Sequence, residues 1–250
     1  MIIEFSAIPG AGKTYLSELL CSYLKTELSE YNFVFITRKD LQEMRKEKFK
    51  NKIIRRIYIL YNILDYRIIS LIFTLLRGNG SFENKINKII FFVNNVLNYK
   101  FLTQLYKQGN SNHVFLLDEG LLHASEVFID INNQLPENMD VSKYFDRITS
   151  LKSINYSQTE KMYIFIDSNI KENFNRISKR EQGWPDTFKN LSESNKLEEL
   201  DRFKQRYTYI KEFIDEGPEK NLVIDNSIFQ DNYNIYFDEI KKYILKKCIF

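Results

Sequence analysis

Apolar residues along the chain follow two rhythms. Five short, nearly continuous runs of β-branched and aromatic residues lie at Ile2–Ala7, 32–37, 113–119, Lys161–Asp167 and 221–226, each closing on a small or acidic residue. Unbroken apolar runs of this length read as strands buried on both faces, the pattern of a parallel sheet. Between them apolar positions recur at helical spacing: at about 13–30, within 41–108, as two patterns inside 120–157, at about 192–216 and at 233–247. Strands alternating with helices predict an α/β fold, a five-stranded parallel sheet with helices on both faces. In such sheets ligands bind beyond the carboxyl ends of the strands. The glycine-rich and acidic motifs of this chain sit at those ends.

The stretch 41–112 interrupts the alternation and reads as a helical insertion within a single domain spanning 1–250. It opens with Arg45, Lys46, Lys48, Lys50, Lys52, Arg55 and Arg56 within twelve residues. Apolar residues at 57, 60, 61, 64, 68, 71, 72 and 75 then keep a helical period, and others at 59, 63, 69, 73 and 76 make that helix apolar almost all round. The turn Gly78-Asn79-Gly80-Ser81 leads to a second helix over 86–106. Two readings stay open: a helix pair packed into the core, or a docking surface for a membrane, a protein partner or a greasy substrate. The basic run likewise reads as a solvated face or as a binding patch.

Composition narrows the classes. A chain of 250 residues with 44% hydrophobic content can bury one ordinary core. Lys and Arg number 36 against 33 Asp and Glu, a balance that does not call for nucleic acid as a partner. Cys21 and Cys248 are far apart and lack metal-like spacing, which suits a reducing compartment. The start Met1-Ile2-Ile3-Glu4 lacks the basic lead of a signal peptide. Asp65 and Arg67 cut the greasiest stretch, 57–76, into uncharged runs of eight and nine residues, against about 20 needed to span a bilayer. The expectation is a soluble, cytoplasmic protein, with peripheral membrane association and a homodimer both left open.

The segment Ala7-Ile8-Pro9-Gly10-Ala11-Gly12-Lys13-Thr14 fits the Walker A spacing, with alanine in the first glycine position. Gly10 and Gly12 let the backbone turn its N–H groups toward phosphate oxygens. Lys13 then reaches the β- and γ-phosphates, and the Thr14 hydroxyl is placed to ligate Mg²⁺. The helix beginning near Lys13 adds the positive end of its dipole. An apolar run precedes the loop, and an amphipathic helix follows with Leu16, Leu19, Leu20, Tyr23, Leu24 and Leu28 on one stripe. The expected nucleotide contacts are Ile8, Pro9, Gly10, Ala11, Gly12, Lys13, Thr14 and Tyr15.

Two more motifs lie at strand ends. The run His113-Val114-Phe115-Leu116-Leu117 ends in Asp118-Glu119-Gly120. Beside the first strand, its acidic end would approach the metal and the γ-phosphate. Asp118 is the candidate metal partner with Thr14, and Glu119 the candidate to activate an acceptor hydroxyl or position a nucleophile. After the strand ending at Asp167, Arg176 and Arg180 stand four apart on an expected helix, hence on one face. Gly183, Trp184 and Pro185 end that helix in a turn. Two guanidinium groups on a lid at about 169–190 can close over a triphosphate.

The order of these motifs resembles the nucleoside- and nucleotide-kinase branch of P-loop proteins, thymidylate-kinase-like proteins above all. The likeness covers nearly the whole chain outside the insertion and implies the three-layer P-loop NTPase fold. It implies substrate-site residues at Asp118-Glu119, an arginine-bearing lid at Arg176 and Arg180, and a loop near the adenine at Val223-Ile224-Asp225-Asn226-Ser227. Asn226 and Ser227 therefore join the expected nucleotide contacts, and Thr37-Arg38 after the second strand is similar to an acceptor-binding motif of that branch. Here Lys39-Asp40 follow without glycines, and Asp118-Glu119 replaces the usual Asp-Arg pair. Both departures point away from thymidine monophosphate and toward another acceptor.

Together the motifs predict an ATP-dependent, Mg²⁺-requiring phosphotransferase. Lys13, Glu119, Arg176 and Arg180 are its expected catalytic residues, and Arg38 and Glu119 face a small-molecule acceptor. No Asn-Lys-x-Asp guanine motif occurs, which favours ATP over GTP. Two rivals remain: an ATPase using Glu119 to activate water, and a nucleotide-sensing interaction protein that docks through its insertion.

Overall fold

In the computed structural model of the chain, strands form where the unbroken apolar runs fall. They are β1 (Ile2–Ala7), β2 (Val34–Thr37), β3 (His113–Leu117), β4 (Lys161–Asp167) and β5 (Lys220–Asp225). All pair in parallel within one sheet of order β2-β3-β1-β4-β5. The structure describes residues 1–108, 112–132, 141–151, 154, 159–181, 183–184, 186–227 and 233–248. Parallel neighbours need long crossovers. Helix α1 (Lys13–Glu27) carries the chain from β1 to β2, which leaves a place that β3 later fills. β4 and β5 then add on the other side of β1. The connections change direction at β1, so the loop that follows it opens on the crevice where such sheets bind ligands.

β1 and β4 keep the expected bounds, and the other three strands differ by one or two residues at one or both ends, for local reasons. Asn32 takes a left-handed conformation (φ 51°) after the short 3₁₀ turn Ser29–Tyr31, so β2 starts late. β3 stops at Leu117, which leaves Asp118 and Glu119 just past the strand end. β5 stops at Asp225, with Asn226 beyond it.

Side chains alternate across the pleat and feed two cores. Ile3 and Phe5 of β1 point to the face covered by α1, α10 (Glu193–Asp215) and α11 (Asn234–Cys248). Leu16, Leu20, Leu24 and Leu28 of the expected stripe are buried there, with Leu19 and Tyr23 packed at its edge. Ile2 points to the other face, covered by α4 (Tyr66–Arg77), α5 (Phe82–Lys107) and α6 (Leu121–Asn132). The insertion therefore supplies part of the cover of this face, together with α6. Among the described residues, α7 (Val141–Thr149) follows α6 as the second pattern expected inside 120–157; positions 133–140, 152–153 and 155–157 of that stretch lie outside the described residues.

The single apolar helix expected over 57–76 is a correction: it is two helices, α3 (Lys52–Ile63) and α4. Asp65 divides them, because its carboxylate accepts the Arg67 backbone N–H at 3.0 Å and caps α4. The insertion also starts earlier than expected, at α2 (Arg38–Lys48). Asp40 explains that start. It forms a capping box in which Thr37 Oγ1 accepts the Asp40 N–H at 3.2 Å and Asp40 Oδ2 accepts the Thr37 N–H at 2.9 Å. α4 and α5 bury Ile68, Leu71, Leu75, Phe92 and Val96, as the core reading requires. α3 instead leaves Ile53, Ile57, Leu60, Tyr61 and Leu64 exposed. No single helix among the described residues is long and apolar enough to cross a membrane.

Candidate functional site

The loop between β1 and α1 is shaped by two glycines. Gly10 (φ 85°) and Gly12 (φ 89°) occupy the left-handed region that glycine adopts freely. Gly10 is needed for space as well: a Cβ there would stand 2.8 Å from the Asn173 carbonyl oxygen and 2.9 Å from the Asn173 Cβ. Gly12 caps α1 with no side chain bonding the first amides of the helix, a start that suits an anion. Asn226 holds the loop from beneath. Its buried amide donates to the Ala11 carbonyl (2.8 Å) and accepts the Tyr233 hydroxyl. The side chain expected to touch nucleotide is thus spent on the loop itself. The Ser227 N–H turns back to the Asp225 carboxylate (2.9 Å).

A cavity of about 570 Å³ lies over the loop, walled by Ile8, the run from Gly10 to Tyr15, Glu119, Arg180 and Glu181. The structure so brings together most of the expected nucleotide contacts with one acid and one arginine of the distant motifs; Pro9 is not on the wall. Thr14 Oγ1 donates to Asp118 Oδ2 at 3.0 Å, joining residues 104 positions apart. This follows from the sheet order, which sets β3 beside β1. Arg38, from the end of β2, reaches both acids, with Nη2 at 2.6 Å from Glu119 Oε2 and Nη1 at 3.7 Å from Asp118 Oδ1. The hydroxyl of Thr14 and the carboxylate of Asp118 are hard oxygen donors of the kind Mg²⁺ takes, so this pair fits that ion. Beside Arg38 a second cavity of about 370 Å³ opens between α2 and α5, lined by Arg38, Gln42, Arg45, Lys46, Asn87, Ile90, Phe91, Asn94 and Asn95.

The expected lid divides in two. Helix α8 (Ile170–Ser178) ends before Arg180, so Arg176 and Arg180 do not share a helical face. Asn169 caps α8, and Asn173 and Ile177 are buried against Gly10. That contact fixes α8 to the loop. Arg176 is not on the cavity wall; it pairs with Glu172 (3.4 Å) and donates to the Asn226 carbonyl (3.2 Å). Arg180 follows the helix end and lines the cavity with Glu181. The turn closes at Gly183 (φ 63°), whose N–H bonds the Arg180 carbonyl at 2.9 Å. Trp184 packs on Phe174 and Phe188, while Gln182 and Pro185 lie outside the described residues.

Three further groups are not singled out by motif spacing. Glu4 lies in the centre of β1, 3% exposed, with its carboxylate accepting the Leu122 N–H at 2.7 Å and the His123 N–H at 3.4 Å. Burial pushes its carboxyl up to about 7, against the pull of those amides. Gly120 makes room for it, since a Cβ there would stand 2.4 Å from the Glu4 carboxyl carbon. The signal was present in the sequence: one acid inside a largely apolar strand. His123 Nδ1 lies 2.7 Å from Glu126 Oε2, and its ring meets Phe91 edge-on. Burial would raise the Glu126 carboxyl, but His123, with Lys13 and Arg206 nearby, draws it below the ordinary range.

No family model matches the chain, and no curated protein matches it in sequence. Solved structures similar to it include thymidylate kinase from Ehrlichia chaffeensis, at 14% identity and TM-score 0.47 over 98% of each chain. Deoxyadenosine kinase from M. mycoides aligns at 13% identity and TM-score 0.47, over 98% of this chain and 100% of that one. Shikimate kinase from Bacteroides thetaiotaomicron aligns at 12% identity and TM-score 0.42, over 100% of this chain and 99% of that one. Likeness this distant carries no residue role and no substrate to this chain.

Proposed function

We propose that the chain is an ATP-dependent phosphotransferase that requires Mg²⁺ and passes the γ-phosphoryl group to a small-molecule acceptor. The observation that carries this reading is the contact of Thr14 with Asp118, made where the glycine loop, Lys13 and Glu119 wall one cavity. Lys13 and the loop amides bind the β- and γ-phosphates. Thr14 and Asp118 hold Mg²⁺, which when bound neutralises phosphate charge. Arg180 closes on the transferring group from the lid. Glu119 contacts the acceptor and takes its proton, with Arg38 orienting the carboxylate from the side of the second cavity. The space between α2 and α5 gives the acceptor room, so the insertion works as part of one domain with the sheet.

The rival with support from geometry is an ATPase, because Glu119 shares the cavity of the loop, where it can also meet water. The 2.6 Å pair with Arg38 favours an acceptor, since it ties Glu119 toward β2. ADP formation from MgATP, with and without nucleosides, nucleoside monophosphates, sugars and other hydroxyl compounds, separates the two. The kinase reading expects slow hydrolysis alone and rapid transfer with one class of acceptor. Rapid hydrolysis with no acceptor would replace it by the ATPase reading. In the same assay Asp118→Asn is expected to raise the Mg²⁺ concentration needed, and Glu119→Gln to lower turnover with little change in MgATP affinity. If both variants match the parent, the carboxylates are only solvated strand-end groups.

A further inference from the structure

Helix α3 is amphipathic with its apolar stripe turned outward. Ile53, Ile57, Leu60, Tyr61 and Leu64 recur at helical spacing, and with Ile54 they are between 52% and 78% exposed. The opposite side is anchored. Tyr58 stacks on Phe49 with ring centroids 4.2 Å apart, and Lys100 of α5 donates to the Asn62 carbonyl at 3.2 Å. The helix is therefore held in place by its inner face while its greasy face meets solvent. Charge around it is one-sided: residues 45–64 carry seven cations and a single acid, Glu47. Among them Lys46, Lys50, Lys52 and Arg56 are exposed.

We infer that α3 docks the chain on an anionic lipid surface. Lys52 and Arg56 flank the outward Ile, Leu and Tyr stripe of α3, and Lys46 on α2 and Lys50 in the turn before α3 are exposed. A helix with an outward apolar stripe and neighbouring cations lies in the plane of a bilayer interface, its apolar face sunk to the acyl boundary. The surplus of cations matches the negative potential of anionic headgroups. The same chemistry disfavours a second copy of this chain, whose stripe would bring the same cations face to face. Docking leaves the fold intact. α4 bends away from α3 by 86°, and its Ile68, Leu71 and Leu75 stay in the sheet's core, so α3 lies on the surface while α4 remains packed in the domain. This docking is independent of what the phosphate loop does.

The test is co-sedimentation of the full chain with vesicles of phosphatidylcholine alone or mixed with phosphatidylserine. Binding is expected to be about tenfold or more tighter on the mixed vesicles and to weaken as salt rises. Ile57→Asp combined with Leu60→Asp should abolish it, and Lys52→Glu combined with Arg56→Glu should weaken it by about tenfold or more. All four positions are exposed, so circular dichroism melts of both variants should match the parent. Equal affinity for both vesicle types, no binding to either, or unchanged binding by the apolar double variant would overturn the inference. So would sedimentation velocity showing that the stripe joins two copies and that Ile57→Asp with Leu60→Asp releases monomer.

Discussion

Glu4 shows how one residue departs from the pattern that builds its strand. β1 is apolar except for Glu4 and Ser6, and Glu4 is the one charged group buried in it. Its carboxylate is retained beneath the first turn of α6, beside the acidic end of β3. Folding raises its titration from 4.5 to about 7. The folded state thus binds the proton more tightly than the unfolded state. The resulting stability is complete below pH 4.5 and is lost as pH rises through about 7. Between those limits the loss amounts to about 3 kcal/mol. Urea unfolding at pH 5 and pH 8 checks it: the parent should lose about that much relative to Glu4→Gln, which cannot ionise. A constant difference between the two proteins would show that Glu4 titrates as an ordinary acid. Asn226 teaches a similar lesson. Its place after β5 reads as a nucleotide contact, yet its amide is consumed by Ala11 and Tyr233, a pairing no local spacing reveals.

At the scale of elements, the strands and the turn after β1 were legible because their causes are local. Apolar runs mark all five strands, and the glycines of 7–14 mark the turn between β1 and α1. Helix ends were less legible where a side chain cap decides them, as Asp65 and Asp40 do. The lid shows the limit most clearly. Spacing puts Arg176 and Arg180 on one face, but α8 ends at Ser178, two residues short of Arg180. The two arginines therefore differ in their expected effects. Arg180→Ala should lower kcat about tenfold to a thousandfold with MgATP affinity nearly unchanged, since its charge acts on the transferring group. Arg176→Ala should instead cost about 1 kcal/mol of folding stability through the lost bond to the Asn226 carbonyl. Steady-state kinetics and denaturant melts on both variants check the split. Equal kinetic losses in the two would return Arg176 to the site.

At the scale of the whole molecule, function depends on where the sheet puts its strand ends. β3 enters beside β1 only after the insertion has been threaded, and that order carries Asp118 to Thr14 across 104 positions. The order of strands was not written in any one motif; it rests on the alternation of strands and helices taken together. The same insertion covers one face of the sheet with α4 and α5 and leaves α3 outward, so one segment serves both core and surface. The central claim is that the loop of residues 7–14 binds the phosphates of a nucleoside triphosphate. Calorimetric titration of MgATP into the parent chain and into Lys13→Ala tests it most directly. The parent should bind with a measurable heat, and the variant should bind about tenfold to a hundredfold more weakly while keeping its circular dichroism melt. Equal affinity in the two proteins, or no binding by the parent, would contradict the account.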